Sequence, residues 1–348
     1  MNLRQSLSAV LWMITSLGGC GWVFAQSDQV FTRNRSTVTG KIVAVTPIQV
    51  TVEVQGARRE VKVNEIRRVV FDGEPSELNI GRGQALVGKI ESAWRELNKL
   101  NPNDIQREIV KRDWQFYLAF CEGKLALSQG GDKQSASNAM LAFVRAAPEN
   151  FHFFEAAELL GDLAVSQQDY VNAAKYYGSI ASRAPFPEYR MRGLMASARA
   201  RVAQGNFSKA QQMFEQVLAI NSDTTEAKRQ KRLAQVGRGR CLAETDSPQA
   251  GLKLLAEIIA KNDPSDAELF GRAYNARGDC FQKAGQPKEA LMAYLHVDVL
   301  FYSDPEIHAE SLYHLSKLWA TAKKPDRAVA ARNLLDQRYP GSIWSGKK

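Results

Sequence analysis

Two kinds of hydrophobic pattern divide the chain, one with a period of two and one with a period between three and four. From Thr37 to Phe71, short runs rich in Val, Ile and Thr alternate with polar residues, and Pro, Gly or Asn separates each run from the next. Such alternation is typical of half-buried strands, so we expect four or five strands within about 40 residues. Gly40, inside the first run, predicts the bulge or bend that lets a small sheet curl. Residues 26–74 are therefore expected to form a small SH3-like or Sm-like β-barrel.

After the strands, apolar residues recur at the spacing of an α-helix. The clearest stretch is Ala273 to Val297, in which two amphipathic segments flank a Gly-Gln-Pro turn. Gly278 leaves room for a close crossing in the first segment, and Tyr294 provides an aromatic side chain in the second. This stretch predicts a helix, a tight turn and a second helix.

The same hairpin pattern recurs along the rest of the chain. Aligning the small residue that begins each second helix gives positions separated by 37 to 43 residues, which are Ala93, Ala136, Ala173, Ala210, Ala250, Ala290 and Ala328. Intervals of this size are typical of helical-hairpin repeats, and small, aromatic and proline positions keep step with them. We therefore expect a mainly α fold with about seven helical hairpins over residues 75–345.

The recurring positions resemble the motif of the tetratricopeptide repeat family, in which a small residue, an aromatic, Ala, a second aromatic and Pro stand at these offsets. The best copies span residues 161–185, 198–221, 278–302 and 316–340. The resemblance implies a right-handed α-solenoid whose first helices line an inner, concave wall. The order of leader, small barrel and repeat array is also similar to secreted planctomycete-type tetratricopeptide repeat proteins of unassigned role, which implies the cell envelope as the place of action.

Residues 1–25 have the layout of a secretory signal peptide. Arg4 precedes an apolar run, and small residues lead to a cleavage position after Ala25. We therefore expect an exported protein of the periplasm or cell envelope. An alternative is a lipoprotein, because Leu17 to Cys20 resembles a lipobox; the membrane would then hold the chain only through a lipid on Cys20.

Composition indicates a folded, basic protein without an evident chemical motif. The chain is 45% hydrophobic and carries a formal charge of +9, which favours an acidic partner. Cys121, Cys241 and Cys280 lie in helical patterns without metal-ligand spacing and are interpreted as buried small hydrophobic residues. The sequence contains no hydrolase, phosphate-binding or metal motif. We expect no enzymatic activity, no cofactor and no small-molecule substrate.

Basic residues on the predicted first helices form a candidate site. Arg192, Arg232 and Arg272 stand 40 residues apart, at one equivalent position of three neighbouring repeats, and the resemblance places that position in the groove. Arg199 and Asn275 belong to the same predicted helices and complete the candidate set. Stacked guanidinium groups there would bind carboxylates or phosphates of an extended ligand, although a solvated charged face produces the same pattern.

The sequence therefore predicts a non-enzymatic scaffold or adaptor of the bacterial cell envelope. Its groove would hold another protein or peptide that carries an acidic segment. The alternative is a binder of anionic polymers or nucleic acid that uses the basic helices and the barrel. The export signal and the lack of base-stacking aromatics in the strands argue against nucleic acid.

Overall fold

The computed structural model describes residues 27–347. The predicted signal peptide, residues 1–25, and the alternative lipidation position Cys20 lie outside the described residues. Within the described part, a small antiparallel sheet precedes a long array of helices. The mainly α fold predicted from the sequence is confirmed.

Five antiparallel strands form one sheet in the order β4-β3-β2-β1-β5. The strands are β1 (Asp28–Thr32), β2 (Thr37–Val45), β3 (Gln49–Val54), β4 (Ala57–Lys62) and β5 (Ile66–Val70). β4 and β5 are the two edges and do not pair with each other, so the sheet is open. The predicted closed barrel is therefore wrong, because the apolar face of the sheet joins the hydrophobic core of the first helical hairpins instead of enclosing a core of its own.

Gly40 has a different role from the predicted bulge. A Cβ atom at this position would lie 2.2 Å from the carbonyl oxygen of Glu53, so β2 and β3 can approach only if residue 40 is glycine. The irregular step in the β2–β3 register lies further along, between Ile42 and Ala44.

Fourteen helices follow in the described chain and pair in sequence into seven hairpins. The first helices of the hairpins are α1 (Ser76–Leu86), α3 (Glu108–Gln129), α5 (Phe153–Ser166), α7 (Pro187–Ala203), α9 (Thr225–Thr245), α11 (Ala267–Lys283) and α13 (Pro305–Thr321). The second helices are α2 (Ile90–Leu97), α4 (Lys133–Ala146), α6 (Tyr170–Arg183), α8 (Phe207–Ala219), α10 (Pro248–Lys261), α12 (Pro287–Leu300) and α14 (Pro325–Arg338). The predicted number of hairpins is confirmed.

Small residues on the first helices determine how closely each hairpin packs. A Cβ atom at Gly161 would lie 2.2 Å from the ring of Tyr177, and one at Gly278 would lie 2.4 Å from the ring of Tyr294. Both tyrosine side chains are buried. The predicted pairing of a small residue in the first helix with an aromatic residue sixteen positions later in the second helix is therefore confirmed for these hairpins.

The hairpin α9–α10 is shifted by one residue from the predicted alignment. Gly239 lies against Leu255, sixteen residues later, as Gly278 lies against Tyr294. Gly251 is buried beside the Gly239 carbonyl oxygen, whereas Ala250 is only half-buried. Gly251, and not Ala250, is therefore the position equivalent to the small residue that begins the other second helices.

Buried ion pairs fix the sheet to the helical array. Asp28, in β1, accepts hydrogen bonds from Arg107 just before α3, with an Nη1 to Oδ1 distance of 2.7 Å. Arg82, in α1, is 1% exposed and donates to Glu74 and to Asp113. An unpaired buried charge is costly, so these groups hold the sheet and the first hairpins in one arrangement.

The last hairpin of the array meets the second hairpin. The C-terminal segment 340–347 follows α14, and the backbone N–H of Gly341 donates to the carbonyl oxygen of Ser128 in α3 with a distance of 3.3 Å. Pro340 also lies beside Gly130, which follows α3. Among residues 27–347, no helix combines the length and the hydrophobicity needed to cross a membrane.

Candidate functional site

The first helices form the inner wall of the array, and two adjoining cavities lie along this wall. One has a volume of about 500 Å³ and is lined mainly by α7, α9, α11, α13 and the C-terminal segment. The other has a volume of about 580 Å³ and is lined by α5, α7, α9 and α11. Met195, Arg199 and Leu233 line both, so the cavities are neighbours along the wall. We refer to them together as the groove, and to the two parts as the C-terminal and the N-terminal cavity.

The small sheet contributes directly to the groove. Arg33, in the turn after β1, and Asn64, in the short 3₁₀ turn before β5, both line the N-terminal cavity. The Oδ1 atom of Asn64 is buried and has no hydrogen-bond partner among the described residues. The sheet is therefore part of the candidate site as well as a packing module.

Arginine side chains bridge consecutive first helices across the groove wall. Arg192 in α7 pairs with Glu158 in α5. Arg229 in α9 donates to Asp266 at 3.1 Å and to Glu268 at 2.7 Å, at the start of α11. Each bridge joins one repeat to the next, so these charges stabilise the relative positions of the repeats.

The next bridges continue along the wall toward the C-terminus. Arg240 in α9 lies 2.7 Å from Asp279 in α11 and 2.8 Å from Glu310 in α13. Arg272 in α11 lies 3.1 Å from Glu268 and 3.3 Å from Glu306. Three successive first helices are thus connected by ion pairs.

The ion pairs also shift the titration of the carboxylates. Burial alone would raise the pKa of Glu268, but the neighbouring Arg272 and Arg229 outweigh burial and lower the pKa to about 2. For Arg272, burial alone would lower the pKa, but Glu306 and Glu268 outweigh it and raise the pKa above the ordinary value for arginine. Both side chains are therefore charged at neutral pH.

Arg192, Arg272 and Arg199 from the predicted set line the groove. The first two are engaged with carboxylates of neighbouring helices. Arg199 differs, since it is half-buried between the two cavities and makes no hydrogen bond or ion pair with any of residues 27–347. Its guanidinium group is therefore available to a ligand.

Arg232 and Asn275 do not occupy the predicted positions. Arg232 lines neither cavity, because the one-residue shift of the hairpin α9–α10 places Leu233 at the position equivalent to Arg192 and Arg272. Asn275 is 1% exposed, and its Nδ2 donates to the carbonyl oxygen of Ile307 at 2.9 Å. The asparagine thus connects α11 to α13, and its side chain does not face the groove.

An apolar strip at the centre of the groove was not evident from the sequence. Met195 and Leu233 line both cavities, and Val236 lines the C-terminal one. Trp344 of the C-terminal segment lines the same cavity. The sequence could have located Leu233 if the hairpin α9–α10 had been aligned on Gly251, because Leu233 then stands at the position that Arg192 and Arg272 occupy in their repeats.

The groove has no excess of positive charge. Eight cationic side chains and eight carboxylates line its two cavities. The net positive charge of the chain is therefore located elsewhere, for example on the exposed residues Arg58, Arg59 and Lys62 of β4. Attraction of a polyanion by a uniformly basic groove is not supported by this distribution.

The described residues contain no cluster of His, Cys, Asp and Glu that could hold a metal ion. Cys121, Cys241 and Cys280 are free and buried, which confirms their interpretation as small hydrophobic residues. Burial raises the pKa of each thiol to about 12. These thiols are therefore protonated and inert at neutral pH.

Comparison with known proteins supports the repeat assignment. Residues 132–297 match a family described as tetratricopeptide repeat-like domain. No curated protein sequence matches the chain. Among solved structures, a tetratricopeptide repeat protein from Parabacteroides merdae is 16% identical, with a TM-score of 0.51, and the alignment covers 75% of this chain and 91% of that one.

Two further solved structures have lower TM-scores. A Rap protein complexed with Competence and Sporulation Factor is 13% identical, with a TM-score of 0.47 and coverage of 77% of this chain and 76% of that one. NprR in complex with its cognate peptide NprX is 11% identical, with a TM-score of 0.44 and coverage of 74% and 76%. The family match and the fold of the Parabacteroides merdae protein together support a tetratricopeptide repeat-like protein whose matched domain spans residues 132–297.

Proposed function

We propose that the protein is a non-enzymatic scaffold of the bacterial cell envelope that holds a segment of another protein in its groove. The observation that carries this proposal is the combination, at one place on the inner wall, of an apolar strip and an unpaired guanidinium group. Met195 and Leu233, each 3% exposed, form the apolar floor between the two cavities, and Arg199 provides guanidinium donors that no hydrogen bond or ion pair of the described residues occupies. Long solenoid surfaces of this kind suit the binding of extended segments.

The charges of the groove limit the chemistry of the partner. Because most groove arginines are already paired, an incoming polyanion would compete with the protein's own carboxylates and gain little. One acidic side chain that reaches Arg199 would instead form a charge-assisted hydrogen bond without breaking an existing pair. An apolar side chain of the same segment would cover Leu233. The proposed partner segment thus contains an acidic residue next to an apolar one.

The cell envelope is proposed from the N-terminal sequence. Residues 1–25 have the layout of a signal peptide, and Cys20 offers lipidation as the alternative. The mass of the mature N-terminal peptide distinguishes the two, since cleavage after Ala25 removes Cys20. Retention of residues 1–25 in the mature chain would refute export by this route.

Site-specific photocrosslinking in cells tests the groove. A photoreactive residue in place of Val202, which lines the C-terminal cavity, should capture the partner. Arg199→Glu should abolish this capture, whereas Arg190→Glu should not, because Arg190 is exposed on the same helix and lines neither cavity. The same product from a photoreactive residue at the outer position Val171, or undiminished capture by Arg199→Glu, would contradict groove binding.

Binding to an anionic polymer remains the alternative function, and its support is the exposed basic edge strand β4. This alternative predicts that the affinity of the protein for a polyanion falls steeply as the salt concentration rises and depends on Arg58 and Arg59. Heparin affinity chromatography of the Arg58→Ser/Arg59→Ser variant measures this dependence. The scaffold proposal predicts that the same variant keeps full capture through Val202.

A further inference from the structure

The contact between the C-terminal segment and α3 of the second hairpin is narrow and tightly fitted. The Gly341 N–H donates to the Ser128 carbonyl oxygen at 3.3 Å. A Cβ atom at Gly341 would lie 2.5 Å from the carbonyl oxygen of Ala126 and 2.5 Å from the amide nitrogen of Gly130. Only glycine therefore fits at residue 341 when the segment and α3 are together. We call this contact the seam.

The C-terminal segment is held much more firmly by its own end of the array. Arg332 in α14 donates to the carbonyl oxygen of Lys347 at 2.7 Å and to that of Ser345 at 2.6 Å. Trp344 is 9% exposed, and its ring lies 5.4 Å from that of Tyr313 in α13. The segment is thus part of the last hairpin, and the seam is the weaker of its two attachments.

The same segment borders the groove. Ile343, Trp344 and Lys347 line the C-terminal cavity opposite α7 and α9. Movement of the last hairpin away from α3 would therefore carry one side of that cavity with it. The width of the groove is coupled to the state of the seam.

We propose that residues 340–347 form a latch that closes the helical array at Ser128 and that opens as one body with the last hairpin to widen the groove. A segment of a partner protein then enters through the open seam without being threaded through a closed ring. The consequence for partner entry rests on the proposed function, whereas the opening itself does not.

Several features of the seam favour opening at this place. It contains a single backbone hydrogen bond among the described residues, and no side-chain ion pair joins 126–130 to 340–347. The solenoid has few contacts between repeats that are distant in sequence, so its curvature changes by small adjustments spread over many interfaces. Opening separates the seam, moves Lys124 in α3 away from the charges of Asp304 and Glu306 at the start of α13, and leaves each hairpin intact.

Distance measurement between two spin labels tests the latch without any partner. The exposed residues Gln129, at the end of α3, and Gln337, in α14, are replaced by cysteine and labelled with nitroxides. The native cysteines in the described chain are buried and remain unlabelled. With the natural Gly341, we expect a narrow distribution at the short distance of the closed seam and a minor population at longer distances.

Gly341→Val should move the population to longer distances, because its side chain cannot fit in the seam. The matched control is Gly346→Val in the same segment, where the nearest atom to an added Cβ is 3.7 Å away, and it should leave the distribution unchanged. Trp344→Ala, which releases the segment from α13 without a clash, should also lengthen the distances. Circular dichroism of each variant confirms that the helices remain folded.

A short, narrow distribution in both Gly341→Val and Trp344→Ala would overturn the latch. So would a long, broad distribution in the protein with its natural latch. Because neither result depends on capture of a partner, failure of the latch and failure of the proposed function give separate outcomes. Crosslinking through Val202 can succeed when the seam never opens, and the seam can open in a protein that captures nothing there.

Discussion

The close crossing inside the hairpin α5–α6 makes a quantitative prediction for Gly161→Ala. The added Cβ atom would lie 2.2 Å from the Tyr177 ring, and the Tyr177 side chain is buried at 3% exposure. The Tyr177 hydroxyl donates to Asp162 Oδ1 at 2.8 Å. The ring must therefore shift, and this shift strains the hydrogen bond and the surrounding core.

The magnitude follows from opposing effects. Alanine is the better helix former, which stabilises the variant by up to about 1 kcal/mol. Overpacking a well-filled core costs about 1 to 3 kcal/mol, and loss of the tyrosine hydrogen bond costs about 1 kcal/mol more. We expect Gly161→Ala to lower the free energy of unfolding by about 1 to 3 kcal/mol.

Gly178→Ala is the matched control, because Gly178 lies in α6 and an added Cβ there meets nothing within 4 Å. It should raise the free energy of unfolding by up to about 1 kcal/mol through helix propensity alone. Urea denaturation followed by circular dichroism measures both variants. In a Tyr177→Ala background, Gly161→Ala should become stabilising, since the obstructing ring is gone. An equal loss of stability for Gly161→Ala in both backgrounds would refute the explanation.

Three further predictions concern polar groups near the inner wall. Asn275→Ala removes a buried bridge between α11 and α13 and should lower the free energy of unfolding by about 1 to 3 kcal/mol in urea denaturation, with little effect on capture through the groove. The pKa of Glu268 is lowered to about 2, so its contribution to the free energy of unfolding is present above about pH 4.5 and is lost as the pH falls toward 2. In acid titration, the Glu268→Gln variant should lack about 2 kcal/mol of this pH-dependent contribution, a figure reduced for the partial exposure of the side chain. Burial alone would lower the pKa of His152, but its hydrogen bonds to Asp113 and Glu155 outweigh burial and raise the pKa above 6.5. The contribution of His152 to the stability of the fold is therefore complete below pH 6.5 and declines as the pH rises through the pKa of the folded state. Thermal unfolding of His152→Gln should show a smaller decline over this pH range.

The repeat architecture could be predicted because its signal is local and repeated. Small and aromatic residues recur at fixed offsets, and the same pairing produces Gly161 against Tyr177 and Gly278 against Tyr294. Each copy strengthens the interpretation of the others, so the number of hairpins follows from the sequence. One hairpin could not be aligned correctly, since Ala250 and Gly251 are adjacent small residues and only packing distinguishes them.

The pattern of hydrophobic residues in the strands could not distinguish a closed barrel from an open sheet. Alternation of hydrophobic residues shows that one face of a strand is buried, but it does not identify what covers that face. Here the helical array covers it, and buried contacts such as Asp28 with Arg107 connect positions 79 residues apart. Contacts across that sequence distance leave no periodic signal, which also explains why the seam at Gly341 was not predicted.

The sequence spacing between each groove arginine and the nearest carboxylate of a neighbouring first helix distinguishes arginines that join two repeats from one that faces a ligand. Arg192 pairs with Glu158, and Arg272 pairs with Glu306; in both cases the partners stand 34 residues apart, on neighbouring first helices. Arg199 has an apolar residue at that spacing in both directions, so no carboxylate at the bridging position forms an ion pair with it, and its charge acts only at longer range to help lower the pKa of Glu158, Glu268 and Glu306. A recurrent arginine with such a carboxylate stabilises the array, whereas an inward arginine without one retains its donors for a partner. The candidate set predicted from the sequence therefore reduces to Arg199, with the apolar strip beside it as the second half of the site.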